Sequence, residues 1–193
     1  MRRSIGVLLL IGCSSCARLP AAPVPNASTA QSRAVVFDID GTLTPDVNSI
    51  FSVRPDAARA VQAFADRGYK IVYLSARVKL FQGNIPGWLK DNGFPDGTVH
   101  VQESEEDEKD HAKFKTRKLR EYRARGWAIE YAYGDSTTDF VAYANVGIPK
   151  ERVFALQRAS DTTCQPGVWN ECLKGWNGHI NSILKLTRDK GDL

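Results

Sequence analysis

The chain has 193 residues, 42% of them hydrophobic and 25% charged, which suits one globular domain with its own core and excludes a disordered or fibrous chain. Its 26 basic and 22 acidic residues leave a formal net charge of +4 and are interspersed, so no concentrated basic surface marks a nucleic-acid binder. The densest charge run is acidic, Glu103, Glu105, Glu106, Asp107, Glu108 and Asp110, and reads as a solvated loop or helix start.

Residues 1–13 read MRRSIGVLLLIGC: two arginines, an apolar stretch, then Gly12 and Cys13. This is the layout of a cleavable export signal over residues 1–12. The run from Ile5 to Ile11 is far short of the ~20 apolar residues that cross a bilayer. Leu10-Ile11-Gly12-Cys13 resembles the lipobox of bacterial lipoproteins. That resemblance implies a lipid on Cys13 and anchorage in the cell envelope. Ser14 at the next position implies the periplasmic face of the outer membrane. A plain secreted protein is the alternative, and Cys16 is left as a free thiol or a second lipidation choice. Residues 13–32, rich in Ala, Ser and Pro, predict a lipidated, unfolded tether reaching roughly 25 Å. The folded domain is expected over 33–193.

From residue 33, short apolar runs alternate with amphipathic stretches, the pattern of βαβ units around a mostly parallel sheet of about five strands. Ala34 to Phe37 predicts the first strand. Pro55 suits a helix start, with Ala57, Ala60, Val61, Phe64 and Ala65 at helical spacing until Gly68. Ile71 to Leu74 predicts a second, buried strand, Pro86 to Asp91 or Asn92 a helix stopped by Gly93, and Thr98 to Val101 a third strand. His111 to Arg125 has helical propensity throughout. A strand from Ile129 to Tyr133, a helix from Thr138 to Asn145 and a strand from Val153 to Leu156 follow. Cys164 and Cys172 lie in a stretch without periodicity, TTCQPGVWNECLKGW. In an exported protein they predict a disulfide, since no companion His or Cys sits at metal-ligand spacing.

The strongest chemical signal is Asp38-Ile39-Asp40-Gly41-Thr42-Leu43-Thr44, directly after the first strand. Ligands of open α/β sheets bind outside the carboxyl ends of strands. Aspartates at alternate positions point the same way from an extended backbone, so Asp38 and Asp40 are expected to converge on a hard cation such as Mg2+ and on a phosphoryl group. The second strand ends in Ser75, and the fourth runs into Gly134-Asp135-Ser136-Thr137-Thr138-Asp139. There Asp135 and Asp139 share a face as a helix opens; helix capping is their ordinary alternative.

Taken in order over residues 33–156, this constellation resembles the haloacid dehalogenase superfamily. The resemblance implies an α/β Rossmannoid fold and a Mg2+-dependent phosphomonoester hydrolase. Asp38 would be the nucleophile and Asp40 the general acid/base; Thr42 and Ser75 would hold phosphate. Asp38, Asp40, Asp135 and Asp139 would form the metal side. The family also needs a lysine. Lys109, Lys113, Lys115 and Lys118 compete, and Lys115 is chosen because Phe114-Lys115 followed by Leu119 looks like a helix opening in related proteins; Lys118 is second choice. Only 34 residues separate Asp40 from Ser75, too few for a large inserted cap, so an open site and a bulky substrate are expected.

Within the superfamily, DIDGTLT with YLSAR and FKxxxL is most similar to the lipin-type domain. This implies a phosphorylated substrate such as the phospholipid phosphatidate, met at a membrane through the N-terminal anchor, with no obligate protein partner. GDSTTD and the Trp- and Cys-containing tail depart from that type. A broad-specificity envelope acid phosphatase acting on nucleotides or sugar phosphates is one alternative, and a non-catalytic phosphatidate-binding module another. His100, His111 and His179 are too scattered for a metal site and read as surface or hydrogen-bonded residues. Trp169 and Trp176 read as core packing of a short terminal helix.

Overall fold

A computed structural model describes residues 18–186. The expected export signal (1–12), Cys13 and Cys16 lie outside the described residues. In chain order the elements are β1 (Arg33–Phe37), α1 (Ala57–Ala65), β2 (Lys70–Ser75), α2 (Lys79–Gln82), α3 (Ile85–Asp91), β3 (Thr98–Val101), α4 (Glu105–Lys109) and α5 (His111–Ala124). They continue with β4 (Ala128–Gly134), α6 (Thr137–Asn145), β5 (Val153–Leu156), β6 (Glu171–Leu173) and α7 (Asn177–Leu186).

One sheet runs β3-β2-β1-β4-β5-β6 with every neighbouring pair parallel. A strand covered on both faces reads as a continuous apolar run, and β1 shows why. Val35 and Phe37 enter one core cluster while Ala34 and Val36 enter the other. The first cluster packs the sheet against α1, α3 and the α7 end, with Trp176 fully buried against Phe37 and Tyr133. The second packs it against α5 and α6. This is the expected haloacid-dehalogenase-like architecture, with β1 at the centre and every strand's carboxyl end on one edge.

Three readings change. A sixth strand, β6, extends the sheet; at three residues it is too short to show a period. Its Cys172 is disulfide-bonded to Cys164 as expected. Trp169 and Trp176 do not share a stripe. They flank β6, and Trp169 is half-buried against the second cluster while Trp176 fills the first. Finally, residues 18–32 are not a free tether. Val24 is buried, the Trp127 indole donates to the Pro25 carbonyl at 2.8 Å, and the Ala27 amide donates to Arg125 O at 2.9 Å. The segment is too poor in large apolar groups to build a core, yet one valine and a few free carbonyls suffice to dock it on a core already there.

The acidic run is a helix start, as expected: the Ser104 hydroxyl accepts from the Asp107 amide. Asp107 is buried, and both its carboxylate oxygens accept from Nη2 of Arg117 on α5 at 2.9 Å. Buried His100 and His179 pair with the Tyr122 and Tyr133 hydroxyls at 2.9 and 3.1 Å.

Candidate active site

Six elements, β1, β2, β4, β5, α5 and α6, deliver the charged groups. Asp38 follows β1 and is held by its amide on Tyr133 O of β4 at 2.9 Å. The chain then turns. The amides of Leu43 and Thr44 donate to Ile39 O at 2.8 and 3.0 Å, and Gly41 adopts φ 88°, a left-handed conformation that favours glycine. A side chain at Gly41 would collide with Asp135, so this position also lets the loop close on the β4 end. Arg54 buttresses the turn from below, donating to Gly41 O at 2.7 Å and to Pro45 O and Gln157 O at 3.0 Å.

Asp38, Asp135 and Asp139 come together, each with a carboxylate oxygen within 4.8 Å of the others, all buried. Lys115 reaches them from the first turn of α5. Its ammonium donates to Asp38 Oδ1 at 2.6 Å and also to Asp139. Of the four competing lysines, it alone among the described residues bridges to Asp38; Lys118 instead pairs with Glu103 at 2.8 Å. Burial pushes the Asp38 carboxyl well above the usual range, Lys115 pulls it down, and Asp139 and Asp135 push it up again. Asp135 is raised to about 6 by burial, then by Asp139, against the pull of Arg158.

Asp139 is spent on structure. One oxygen holds Lys115, and the other accepts from Ser136 Oγ at 2.8 Å and from the amides of Ser136 and Asp135, forming the α6 capping box. Both of its oxygens are thus already engaged within the protein. The groups positioned for direct ligation are Asp38, whose Oδ2 is buried without a hydrogen-bond partner, and Asp135. That orphaned oxygen is what a hard divalent cation takes. The charge agrees: four carboxylates (Asp38, Asp40, Asp135, Asp139) face three cations (Lys115, Arg77, Arg158).

Asp40 is a correction. Its side chain is not in the acidic cluster. The extended backbone ends at Phe37 and turns by Gly41, so the two aspartates do not converge as a strand would place them. Arg77 instead grips Asp40 with Nε at 3.1 Å and Nη2 at 2.5 Å, and the Ser75 hydroxyl donates to it at 2.9 Å. Ser75 also accepts from the Arg77 amide at 3.0 Å, so it orients the Asp40 side of the site and its hydroxyl is already committed. Thr42 is fully buried with an unpartnered hydroxyl and does not line the cavity that holds Asp38 and Asp40.

The cavity above these groups measures about 550 Å³. Asp38, Asp40, Lys115, Asp135, Arg77 and Arg158 supply its charge, and Val47, Ile50, Val78 and Phe81 an apolar wall. Sequence reasoning passed over Arg77 and Arg158. Arg77 stood two positions after a strand-end serine, a readable signal. Arg158, which donates to Asp135, follows β5 and had none. His111 also lines the cavity.

Known proteins give matching context. The family profile for the LNS2 domain of PITM 1-3 matches residues 35–157. Mouse membrane-associated phosphatidylinositol transfer protein 3 is 30% identical over 139 residues, covering 68% of this chain and 14% of that protein. The Drosophila melanogaster protein retinal degeneration B is 29% identical over 126 residues, covering 63% and 10%. This chain therefore spans only a small part of those relatives. A chain of the Pnkp1/Rnl/Hen1 complex superposes with a TM-score of 0.55 at 17% identity, over 72% of this chain and 50% of its own, a likeness of fold alone.

Proposed function

The chain belongs to the PITM 1-3 LNS2 domain family, related to the lipin-type domains, and we propose that its site hydrolyses phosphomonoesters presented at a lipid surface, phosphatidate foremost. The observation that carries this reading is the orphaned Asp38 Oδ2, buried beside a lysine and two more carboxylates at the carboxyl edge of the sheet. The relatives' names, phosphatidylinositol transfer proteins, support a phospholipid ligand.

The chemistry uses this chain's own groups. The Asp38 carboxylate attacks phosphorus through the oxygen not given to a cation, the P–O ester bond breaks, and Asp40 gives its proton to the departing alkoxide oxygen. An aspartyl-phosphate is left. Asp40 then takes a proton from water, whose oxygen attacks the same phosphorus and releases Asp38 and inorganic phosphate. Lys115 holds Asp38 in place for attack. Mg2+ held by Asp38 and Asp135 would supply neutralisation of the phosphate's charge. The Cys13 reading adds anchorage in an exported, oxidising compartment, which the Cys164–Cys172 disulfide supports.

One observation favours a second reading, a phosphatidate-binding module. Arg77 and Ser75 already engage both Asp40 carboxylate oxygens, which leaves neither free to reach a leaving oxygen. The test is phosphate release by the full chain from phosphatidate in mixed micelles and from p-nitrophenyl phosphate, with Mg2+ present or chelated. Chelation-sensitive release from phosphatidate is expected. Phosphatidate bound without release on any substrate selects the binding module.

A further inference from the structure

Six large hydrophobic side chains are exposed among the described residues, and four of them, Phe51, Val53, Val78 and Leu80, belong to the loops after β1 and β2 and the start of α2. Phe51, Val78 and Leu80 gather at the cavity mouth. Val78 lines the cavity beside Ile50 and Phe81. The Phe51 ring meets Phe81 edge-on at 6.1 Å, and Leu80 shares a shallow depression with Val78. Phe51 is 61% and Leu80 56% exposed. An apolar patch concentrated beside a binding cleft marks an interaction surface.

These loops are built outward, not frayed. The Trp88 indole donates to Phe51 O at 3.1 Å, Arg77 Nη2 to Ile50 O at 3.2 Å and Gln82 Nε2 to Arg77 O at 3.0 Å. The backbone is held, and the apolar side chains are left outside.

The entry point of the chain says what covers them. Arg18 donates to Gln102 O at 3.3 Å, Gln82 donates to the same carbonyl, and Gln102 lines the depression that holds Val78 and Leu80. The described residues begin at Arg18, whose side chain reaches the edge of this patch. Cys13 lies five positions upstream, a span of at most ~17 Å when fully extended.

We infer that Phe51, Val78 and Leu80 form a membrane-facing lip that rests in the lipid surface to which the N-terminal segment is anchored, with the cavity opening into the headgroup layer. This rests on the phospholipid reading of the site and on the lipid anchor at Cys13. A bilayer offers apolar chains and phosphate at adjacent depths, matching an apolar rim above a cationic and acidic floor. The nearby Lys79 is already paired with Glu108 at 2.8 Å, so the contact is apolar and should resist salt.

The test uses the full chain and vesicles of brominated phosphatidylcholine doped with phosphatidate. Bromine quenches tryptophan only at close range. Phe51→Trp should be quenched beyond the wild type and beyond Val141→Trp, placed on α6 away from the mouth. Equal quenching in all three overturns the lip. In parallel, the ratio of phosphate release from vesicle phosphatidate to release from p-nitrophenyl phosphate should fall about tenfold in Phe51→Ser/Leu80→Ser; an unchanged ratio likewise overturns it. Excess quenching with no turnover by the wild type keeps the lip and removes the hydrolytic reading. Turnover on vesicles without excess quenching does the reverse.

Discussion

Asp38 and Asp40 sit two residues apart and in opposite surroundings. Asp38 is sealed among two further carboxylates with one lysine, so burial and like charge push its carboxyl up and a single ammonium restrains it. Asp40 stands at the cavity wall in the fork of an arginine, with a serine hydroxyl behind it. Motif spacing put both residues at the end of β1. What each can do is decided by the groups that β2, β4 and α5 bring to it. One side concentrates negative charge around a single lysine, and the other holds a single carboxylate at a chosen angle.

The comparison breaks most visibly at Asp38. Asp38→Asn should lower phosphate release by about 10⁴-fold or more, with the melting temperature held or raised because a buried charge is gone. Turnover within tenfold of wild type would remove Asp38 as nucleophile. Lys115→Met attacks the same side through stability. Stranding the buried carboxylates should cost about 3–5 kcal/mol near pH 7 in urea unfolding. The sign with pH is fixed by the raised Asp38 carboxyl: an acid whose folded pKa is raised destabilises when ionised, so the deficit should shrink as pH falls. A deficit independent of pH would mean packing, not charge, holds the cluster.

On the other side, Arg77→Lys keeps a cation but loses the two-pronged grip. Release from alkyl phosphomonoesters, whose leaving oxygen needs a proton, should fall about 10²-fold. p-Nitrophenyl phosphate, with its good leaving group, should suffer far less. Equal losses on both substrates would end the assignment of Arg77 as the residue that positions Asp40. The smallest effect lies outside the site and calibrates the others. His100 and His179 are buried, and burial holds both down to about 4 from 6.5. Their stabilising contribution is present above pH 6.5 and lost as pH falls toward 4, by about 1 kcal/mol per pH unit for each. His179→Gln should flatten that part of the stability profile, read from thermal melts across pH; an unchanged slope would assign the pH dependence to other groups.

How far the sequence reached can be traced residue by residue. Lys115 was legible because Phe114 and Leu119, both fully buried, set the face of α5 that turns to the core, and Lys115 stands at its opening. The strands were legible because a parallel sheet covered on both faces leaves unbroken apolar runs. β6 was not, since three residues with a polar start and a cysteine carry no period. Arg158 was not, because its partner Asp135 arrives from another strand and nothing local pairs the two. The docking of residues 18–32 escaped a compositional reading for a related cause: a segment without a core of its own can still be ordered by a core that lies elsewhere in the chain.

By itself, the sequence determined the first five strands, the acidic motifs at two strand ends and the paired cysteines, because each is written in local periodicity or spacing, and it narrowed the lysine to four candidates. Only the tertiary structure decided which carboxylates share a site and which cation each one faces. It alone decided that Asp40 turns to Arg77, and that Phe51 and Leu80 meet at one mouth. Those outcomes depend on strand order and on a turn at Gly41, which bring together groups far apart in the chain and separate two that stand side by side in it.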